Sequence, residues 1–378
     1  MLPLLLLFLA DEAKLAKMRP PRPAAFALVF SAGYAGDHLP KDDEAFGRLL
    51  AKLEAGGFNV VHGVPTKERL ALCRKHGIKL MADLLAPGCH VYNEPEKAKA
   101  LCESLRGHPD VWGYNVWNDP FGKTAEGRRR DILNVRKWDG THPVFCGTYR
   151  TVGMKDLDCA DCIGWYDFHW KRGPGRHLQH LPHLLRYRAW AEERDAVFLS
   201  WLSATSGLAG KGNFNRSLWS ANTLIAAGGK GIIWFLGPDL MDMEKLEWTE
   251  RGRDILKVQE RIAPLAGELG KLGTAKALYA TPATKDANDK PFAGKHPVPA
   301  IPEGFFLKAE GGEFLLGDFG KGVVFLANQN AYRAQEAKLR TKRKAERFAG
   351  KWTALAAKDG TVTVALEPGG GALLRLAE

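Results

Sequence analysis

The stretch "GYNVWNDPF" at residues 113–121 places an amide, a carboxylate and a proline at the end of an apolar run. Asn118 and Asp119 lie side by side directly after "VWGYNVW" (111–117). A carboxylate in such a position can transfer a proton, and the neighbouring amide can hold a ligand by hydrogen bonds. The alternative is an Asx turn that only closes a strand, because Asn, Asp and Pro are common turn residues.

Polar residues also stand at or near the ends of other apolar runs. By position the candidates are Asp37 and His38 after the first run, His62 in the second, Asp83 in the third, Asp167 and His169 in the sixth, Ser203 in the seventh, and Trp234 and Asp239 at the eighth. Asp167 lies within the aromatic sequence "WYDFHW", so it could equally form a structural pair with Arg150, His169 or Lys171. Trp234 could equally fill the layer between strands and helices.

The elements that must position these residues alternate regularly from about residue 25 to 265. The apolar runs are "AFALVFS" (25–31), "FNVVHG" (58–63), "IKLMADL" (78–84), "VWGYNVW" (111–117), "PVFCGTY" (143–149), "DCIGWYDFHW" (161–170), "AVFLSWLS" (196–203) and "GIIWFLG" (231–237). Helical patterns separate them at 43–55, 67–76, 96–106, 126–138, 178–194, 216–227 and 249–272. Continuous apolar strands alternating with helices indicate a covered parallel sheet. Eight units of this length predict a closed (β/α)₈ TIM barrel, whose working residues lie at the carboxyl ends of strands. A doubly wound open sheet is the alternative, but its phosphate-binding glycine fingerprint is absent after the first strand.

The pattern changes after about residue 273. Short strands such as "EFLLGDFG", "GVVFLANQN" and "TVTVALEPGG" are separated by glycine and charged turns, which predicts an antiparallel β-sandwich. A Pro-rich loop at 280–304 leads into it. The predicted organisation is a signal-like segment and linker at 1–24, the barrel at 25–272 and the sandwich at 273–378.

The amino terminus reads "MLPLLLLFLADEAKLAK". The apolar run at 2–10 is too short to span a bilayer and is typical of the hydrophobic part of a secretory signal. No Lys or Arg precedes it and no small-x-small cleavage site follows it, so a packed amino-terminal helix is the alternative. We expect a secreted, periplasmic or envelope protein without a transmembrane span.

The composition of the sequence limits the kinds of binding partner, metal and cofactor that we expect. The formal net charge is +11, but Lys and Arg are spread along the chain and no nucleic-acid motif accompanies the densest run, "KLRTKRKAERFAGK" (338–351). We therefore expect a solvated basic face and no nucleic acid, with binding of acidic polymers as a third functional option. "CADC" (159–162) has no second pair at zinc spacing, and the histidines at 177, 180 and 183 lack further ligands, so no metal and no cofactor are expected.

Several segments together carry a family resemblance. They are "GHPDVWGYNVWNDP" (107–120), "CADCIGWYDFHW" (159–170), "LWSANTLIAAGGKGIIWFLG" (218–237) and the ending "LEPGGGALLRL". Their order and spacing resemble those of the clan A type of glycoside hydrolases and allied barrel proteins, in the fourth strand, the sixth strand, the eighth strand and the terminal sandwich. The resemblance implies that Asp119 corresponds to the family's acid/base, which protonates the leaving oxygen, and that Asn118 binds a sugar hydroxyl. It also implies a sugar platform at Trp234.

The chain departs from this family in two places. Asp119 is one methylene shorter than the family's glutamate, and no carboxylate stands between Asp195 and Asp239, where the strand-seven nucleophile would lie. A retaining mechanism of the usual kind is therefore not supported. Asp167 is the best remaining partner, which favours inversion across a carboxylate separation of ~6.5–9.5 Å; Asp239 and Asp37 are reserves.

The sequence thus predicts a carbohydrate-active protein that cleaves an O-glycosidic bond of an oligo- or polysaccharide, with Asp119 and Asp167 as catalytic residues. The expected substrate-binding residues are Asn118, Trp234, His169, Trp117, Tyr166, Asp37, His38 and Asp239. The alternative is a non-catalytic carbohydrate-binding relative that lost the strand-seven nucleophile.

Overall fold

The computed structural model describes residues 12, 14–33, 38–118, 124–148, 154, 157–167, 180–203, 214–281 and 296–377. Within these ranges eight parallel strands close into a barrel in sequential order. They are β1 (Ala27–Ser31), β2 (Val60–Gly63), β3 (Lys79–Asp83), β4 (Val111–Asn118), β5 (Val144–Thr148), β6 (Cys162–Asp167), β7 (Val197–Ser203) and β8 (Gly231–Phe235). The predicted (β/α)₈ barrel is confirmed.

The helices alternate with these strands and surround the barrel. They are α1 (Asp43–Ala55), α2 (Lys67–Lys75), α3 (Pro95–Leu105), α4 (Ala125–Trp138), α5 (His180–Glu193), α6 (Phe214–Ala226), α7 (Gly237–Leu240), α8 (Glu250–Ile262) and α9 (Ala266–Lys271). A short hairpin, β9 (Met241–Asp242) and β10 (Glu247–Trp248), precedes α8, and a 3₁₀ turn (Ala263–Leu265) separates α8 from α9. This turn interrupts the single helix predicted at 249–272, because it contains a proline, which cannot supply a helical N–H.

Local sequence explains where the helices begin. The side chain of Asp42 accepts a hydrogen bond from the Ala45 N–H at 2.7 Å, and the Thr66 hydroxyl accepts one from the Arg69 N–H at 3.1 Å. Each side chain thereby satisfies one of the backbone donors left open at a helix start. Helix α1 then buries Phe46, Leu49, Leu50 and Leu53 against the strands. One apolar stripe per helix is what a helix on the outside of a barrel requires.

The barrel contains two separate apolar regions. The inner one fills the bore with side chains such as Val29, Met81, Phe145, Trp201 and Ile233. The outer one lies between strands and helices. Both faces of each strand are therefore buried, so the bore is a packed core and only its ends can hold a ligand.

Strand β4 is irregular against both of its neighbours. Its register shifts against β3 at Leu80/Met81 and against β5 between Asn115 and Trp117. Val116 and Trp117 consequently both pack in the outer region. Asn118 is in register with Gly147, which is on the inward side of β5 together with Phe145. The bulge therefore turns both Asn115 and Asn118 toward the bore.

The carboxyl-terminal part consists of two antiparallel sheets. One has the order β11 (Ala277–Ala280), β13 (Phe314–Gly320), β14 (Val323–Asn328), β20 (Gly371–Ala377), β16 (Lys344–Phe348) and β17 (Trp352–Ala354). The other has the order β12 (Lys308–Glu310), β15 (Gln335–Arg340), β19 (Thr361–Leu366) and β18 (Ala357–Lys358). Their facing side chains form one apolar core that includes Leu316, Leu326, Leu339 and Val364. The predicted sandwich is confirmed.

The sandwich docks on helix α6, every residue of which from Ser217 to Ala226 is buried. The Trp219 indole N–H donates to the Gln329 carbonyl at 2.9 Å, and the Asn222 amide donates to the Gly369 carbonyl at 2.9 Å. At Gly317 a β-carbon would stand 2.0 Å from the Ala226 carbonyl oxygen. Glycine at this position permits the close approach of sheet and helix.

Other features of the described residues bear on the sequence predictions. None of the helices there is both long and apolar enough to cross a lipid bilayer. The six cysteines are all buried and unpaired, and burial raises their thiol pKa values, for example that of Cys73 to about 12. Across the same ranges there is no group of three or more His, Cys, Asp or Glu residues that could hold a metal ion. The signal-like run at 2–10 lies outside the described residues.

Candidate functional site

A chain of four buried polar side chains, the polar chain, crosses the bore from β1 to β4. It lies in the half of the bore nearest the carboxyl ends of the strands, and we call this end of the barrel the mouth. Ser31 Oγ lies 3.2 Å from His62 Nδ1, and His62 Nε2 lies 3.2 Å from Asp83 Oδ2. Asn115 Nδ2 lies 3.0 Å from both His62 Nε2 and Asp83 Oδ1. Each of the four residues is fully buried. Polar groups withdrawn from water in this way are costly unless they are paired, so their pairing fixes the four strands relative to one another.

The polar chain also holds the loop that follows β3. Asp83 Oδ1 accepts a hydrogen bond from the Leu85 N–H at 3.1 Å, and the Asp83 carbonyl accepts one from the Cys89 thiol at 3.3 Å. Two acceptor atoms, Asp83 Oδ2 and Asn115 Oδ1, have no hydrogen-bond partner within the described ranges. Asp83 Oδ2 approaches His62 Nε2 to 3.2 Å but without hydrogen-bond geometry. The floor of the mouth is therefore rigid and polar.

Asn118 lies beyond the four side chains of the polar chain, at the carboxyl end of β4. Both polar atoms of its side-chain amide are buried, and neither has a hydrogen-bond partner in the part of the chain that the structure describes. A buried amide without a partner costs about 1–3 kcal/mol. An amide left open at the ligand-binding end of a barrel is suited to receive a hydroxyl or carbonyl from a ligand.

The predicted catalytic residues are described only in part. Asp119 lies outside the described residues, as do His169 and Asp37. Tyr166 and Asp167 are the last two residues of β6, which places their backbone at the mouth. The side chains of both lie outside the described part of the structure. The predicted partnership of Asp119 and Asp167 therefore remains a prediction.

The two predicted tryptophan contacts lie elsewhere. Trp234 is completely buried, and Trp117 is nearly so. Both pack in the outer region between strands and helices. A ligand in the mouth cannot stack on an indole behind the barrel wall, so we do not retain Trp117 and Trp234 as sugar contacts. For Trp234 the alternative, filling of the layer between barrel and helices, is the arrangement observed.

His38 and Asp239 lie on the opposite side of the mouth from Asn118, because β1 and β8 are opposite β4 and β5 in an eight-stranded ring. His38 is exposed and lies against Gly33, where a β-carbon would stand 2.8 Å from His38 Cδ2. Asp239 is half-buried in α7, and burial raises the pKa of its carboxyl above the usual value. Both remain candidates for contact with a ligand that fills the mouth.

Sequence reasoning missed Ser31 and Asn115. His62 and Asp83 stood among the positional candidates, but Ser31 ends its strand as a small residue without conspicuous chemistry. Asn115 carried a usable signal, because it is a lone amide inside an otherwise apolar strand, "VWGYNVWN". An amide side chain inside a buried strand almost always has a hydrogen-bond partner, so its presence predicts one.

A second polar cluster lies at the opposite end of the barrel, around Asp139. Its Oδ2 accepts from Tyr114 OH at 2.7 Å and lies 2.6 Å from His142 Nδ1, while its Oδ1 accepts from the Thr141 N–H at 2.8 Å. Burial acts to raise the pKa of Asp139, but the hydrogen bonds from His142, Thr141 and Tyr114 outweigh it and lower the pKa from 3.8 to about 2. This end of a barrel usually serves stability, and the cluster ties α4 to β4.

Comparison with known proteins bears on the fold. No protein-family model and no curated protein sequence matches this chain. Among solved structures, a glycoside hydrolase family 5 protein from Bacteroides vulgatus matches with a TM-score of 0.59 and 11% identity, over 93% of this chain and 89% of that one. The α-amylase of Geobacillus thermoleovorans, solved with acarbose, matches with a TM-score of 0.57 and 11% identity, over 93% and 98%. A cyclomaltodextrinase matches with a TM-score of 0.56 and 10% identity, over 95% and 80%. At such low identity the similarity shows a glycoside hydrolase-like fold and nothing finer.

Proposed function

We propose that this protein binds a carbohydrate at the carboxyl-terminal mouth of its barrel and hydrolyses a glycosidic bond there. Asp119 is the proton donor and Asn118 holds a sugar hydroxyl next to the reacting carbon. The observation that carries the proposal is the side-chain amide of Asn118 at the end of β4, whose polar atoms are buried and have no hydrogen-bond partner among the described residues.

The position of this amide supports binding. Asn118 is held by a strand whose preceding inward residue, Asn115, is fixed by His62 and Asp83. Its amide is therefore presented from a rigid element, which is what precise recognition of a hydroxyl needs. The glycoside hydrolase-like fold favours a sugar as the ligand, and Asp119 is adjacent in sequence to the amide that would orient it.

The reaction needs a second carboxylate. We propose Asp167, which follows from its position at the end of β6 on the same rim. Asp119 gives its proton to the leaving oxygen as the glycosidic bond breaks, and Asp167 takes a proton from the water that forms the new bond to the anomeric carbon. This is an inverting mechanism, for which the two carboxyl groups stand ~6.5–9.5 Å apart.

The test is hydrolysis of a panel of oligosaccharides, measured as the release of reducing ends. Asp119→Asn should lower turnover by roughly two to four orders of magnitude, because it removes a general acid, and should leave sugar binding intact. Asp195→Asn is the matched control, since this exposed carboxylate lies before β7 at the far end of the barrel and should not affect turnover. Full turnover by Asp119→Asn would exclude Asp119 as the acid.

A second function is favoured by one specific observation. Strand β7 ends at Ser203, and the sequence offers no carboxylate from residue 196 to 238. A protein that kept the mouth and lost its nucleophile would bind carbohydrate without cleaving it. Saturable sugar binding by the wild type that Asn118→Ala weakens, together with no release of reducing ends, would establish this second function.

A further inference from the structure

We infer that the carboxyl-terminal sandwich takes part in carbohydrate binding, and that Tyr332 and Tyr92 form two stacking platforms on opposite sides of the mouth. The ligand is then a linear oligo- or polysaccharide that crosses the mouth. This inference rests on the proposed function and adds the substrate class to it.

Exposed aromatic side chains are rare among the residues that the structure describes. In the ranges the structure describes, the large apolar side chains that are well exposed are Met18 (40%), Tyr92 (43%) and Tyr332 (38%). Both tyrosines lie at the mouth end, whereas Met18 lies at the other end, with its methyl carbon 3.2 Å from a β-carbon position at Gly140. An aromatic ring that stays in water can stack on the apolar face of a sugar.

Tyr332 is presented by a loop with a buried polar scaffold. The Asn330 side chain accepts hydrogen bonds from the N–H groups of Tyr332 at 2.8 Å and Arg333 at 2.9 Å. Asn328 accepts from the Asn330 N–H at 2.9 Å and donates to the Arg333 carbonyl at 2.8 Å. Asn328 and Asn330 are both buried. Two buried amides thus serve to fix the backbone that carries one exposed ring.

The same loop is fastened to the barrel at mouth height. Trp219 of α6 donates to the carbonyl of Gln329, and its ring packs on Ala331. Arg216, in the first turn of α6, donates to the Tyr332 hydroxyl from Nη2 at 2.7 Å. Because α6 follows β7, its first turn lies at the mouth. The sandwich therefore places Tyr332 beside the first turn of α6, at the end of the helix layer on the side of the mouth.

Tyr92 lies in the loop between β3 and α3, which also belongs to the mouth. This loop is tied down as well. The Val91 N–H donates to the Leu84 carbonyl at 2.8 Å, and the Glu94 N–H donates to the His90 carbonyl at 2.7 Å. The Tyr92 N–H donates to His90 Nδ1 at 3.3 Å, and the two rings are 6.0 Å apart. Like Tyr332, Tyr92 is an exposed ring on an ordered loop.

The two platforms stand across the mouth from each other. β3 and β7 are four strands apart in the closed ring of eight. Strands about 4.8 Å apart and tilted by about 36° close a ring about 15 Å across, and both loops lie outside it. A single sugar ring cannot bridge that distance. A linear chain can contact both tyrosines and pass over Asn118, which lies on the strand next to β3.

The experiment compares binding of a short and a long ligand. Titration calorimetry is performed with the di- and hexasaccharides of α-1,4-glucan, β-1,4-glucan, β-1,4-mannan and β-1,4-xylan. It uses the Asp119→Asn background so that the ligand is not consumed. Tyr92→Ala and Tyr332→Ala should each weaken binding of the preferred hexasaccharide about tenfold, as expected for loss of an aromatic stacking contact. Binding of the disaccharide should stay within twofold. Tyr92→Phe and Tyr332→Phe should bind the hexasaccharide like the parent. Met18→Ala should change the affinity for neither the hexasaccharide nor the disaccharide.

The outcomes separate this inference from the proposed function. If the hexasaccharide binds no more tightly than the disaccharide, or if both alanine variants bind it like the parent, the platforms are refuted while sugar binding at the mouth stands. If no saccharide binds at all, the proposed function falls and this inference with it. Full turnover by Asp119→Asn would refute only the assignment of the acid. Tyr92→Ala changes a loop of the barrel rather than of the sandwich, so it remains informative if Tyr332→Ala disturbs docking.

Discussion

The buried polar chain in the bore makes a strong prediction about stability. Asp83→Ala removes an acceptor that serves the Asn115 amide at 3.0 Å and the Leu85 N–H at 3.1 Å, together with the carboxylate 3.2 Å from His62. All of these groups except the Leu85 N–H belong to fully buried side chains. Each orphaned donor costs about 1–3 kcal/mol, and Asp83→Ala leaves at least two donors, the Asn115 amide and the Leu85 N–H, without this acceptor. We therefore expect Asp83→Ala to lower the free energy of unfolding by about 4 kcal/mol.

The assay is urea unfolding at pH 7, followed by tryptophan fluorescence and circular dichroism. Asp158→Ala is the matched control, because Asp158 pairs with Arg129 at the shorter distance of 2.7 Å but on the exposed surface. Exposed pairs contribute about 0–1 kcal/mol, so burial rather than distance should decide the difference. A loss below 1 kcal/mol for Asp83→Ala, or equal losses for both variants, would refute the reasoning.

Three further predictions follow from particular residues. The pKa of Asp139 is lowered to about 2, so its stabilisation of about 2 kcal/mol is complete above pH 5 and is lost as the pH falls toward 2; acid unfolding of Asp139→Asn should lack this loss, and an unchanged acid profile would contradict it. Gly317→Ala should destabilise by about 1–3 kcal/mol, because its β-carbon would stand 2.0 Å from the Ala226 oxygen, whereas Gly304→Ala, with nothing within 4 Å, should be neutral in the same urea assay; equal midpoints would contradict the docking contact. The six cysteines are buried, so a thiol reagent should label none of them within minutes in the native protein and all of them in urea; rapid native labelling would contradict their burial.

The alternation of strands and helices could be predicted because each element carries its own signal. The apolar runs are continuous where both faces of a strand are buried, and the helices begin at capping residues such as Asp42 and Thr66. Sheets in the carboxyl-terminal part follow the same logic, with glycine turns and alternating patterns such as "TVTVALE". These signals are local, so they survive without knowledge of the tertiary structure.

The direction of individual side chains could not be predicted, for the same physical reason. When both faces of a strand are apolar, alternation does not tell which face is inside. Strict alternation from Trp112, which faces the bore, would place Asn115 on the helix side. The irregular register of β4 turns it inward instead. The same ambiguity allowed Trp234 to be taken for a ligand platform, although it faces the helices.

The most direct test of the central claim is a crystal structure of the Asp119→Asn variant with the tightest-binding hexasaccharide. We expect the sugar chain to lie across the mouth, with a sugar hydroxyl within hydrogen-bond distance of the Asn118 amide and a glycosidic oxygen facing residue 119. A hexasaccharide bound away from the mouth, or an Asn118 amide that pairs only with its own loop, would contradict the claim and reduce the pair to a turn that closes β4.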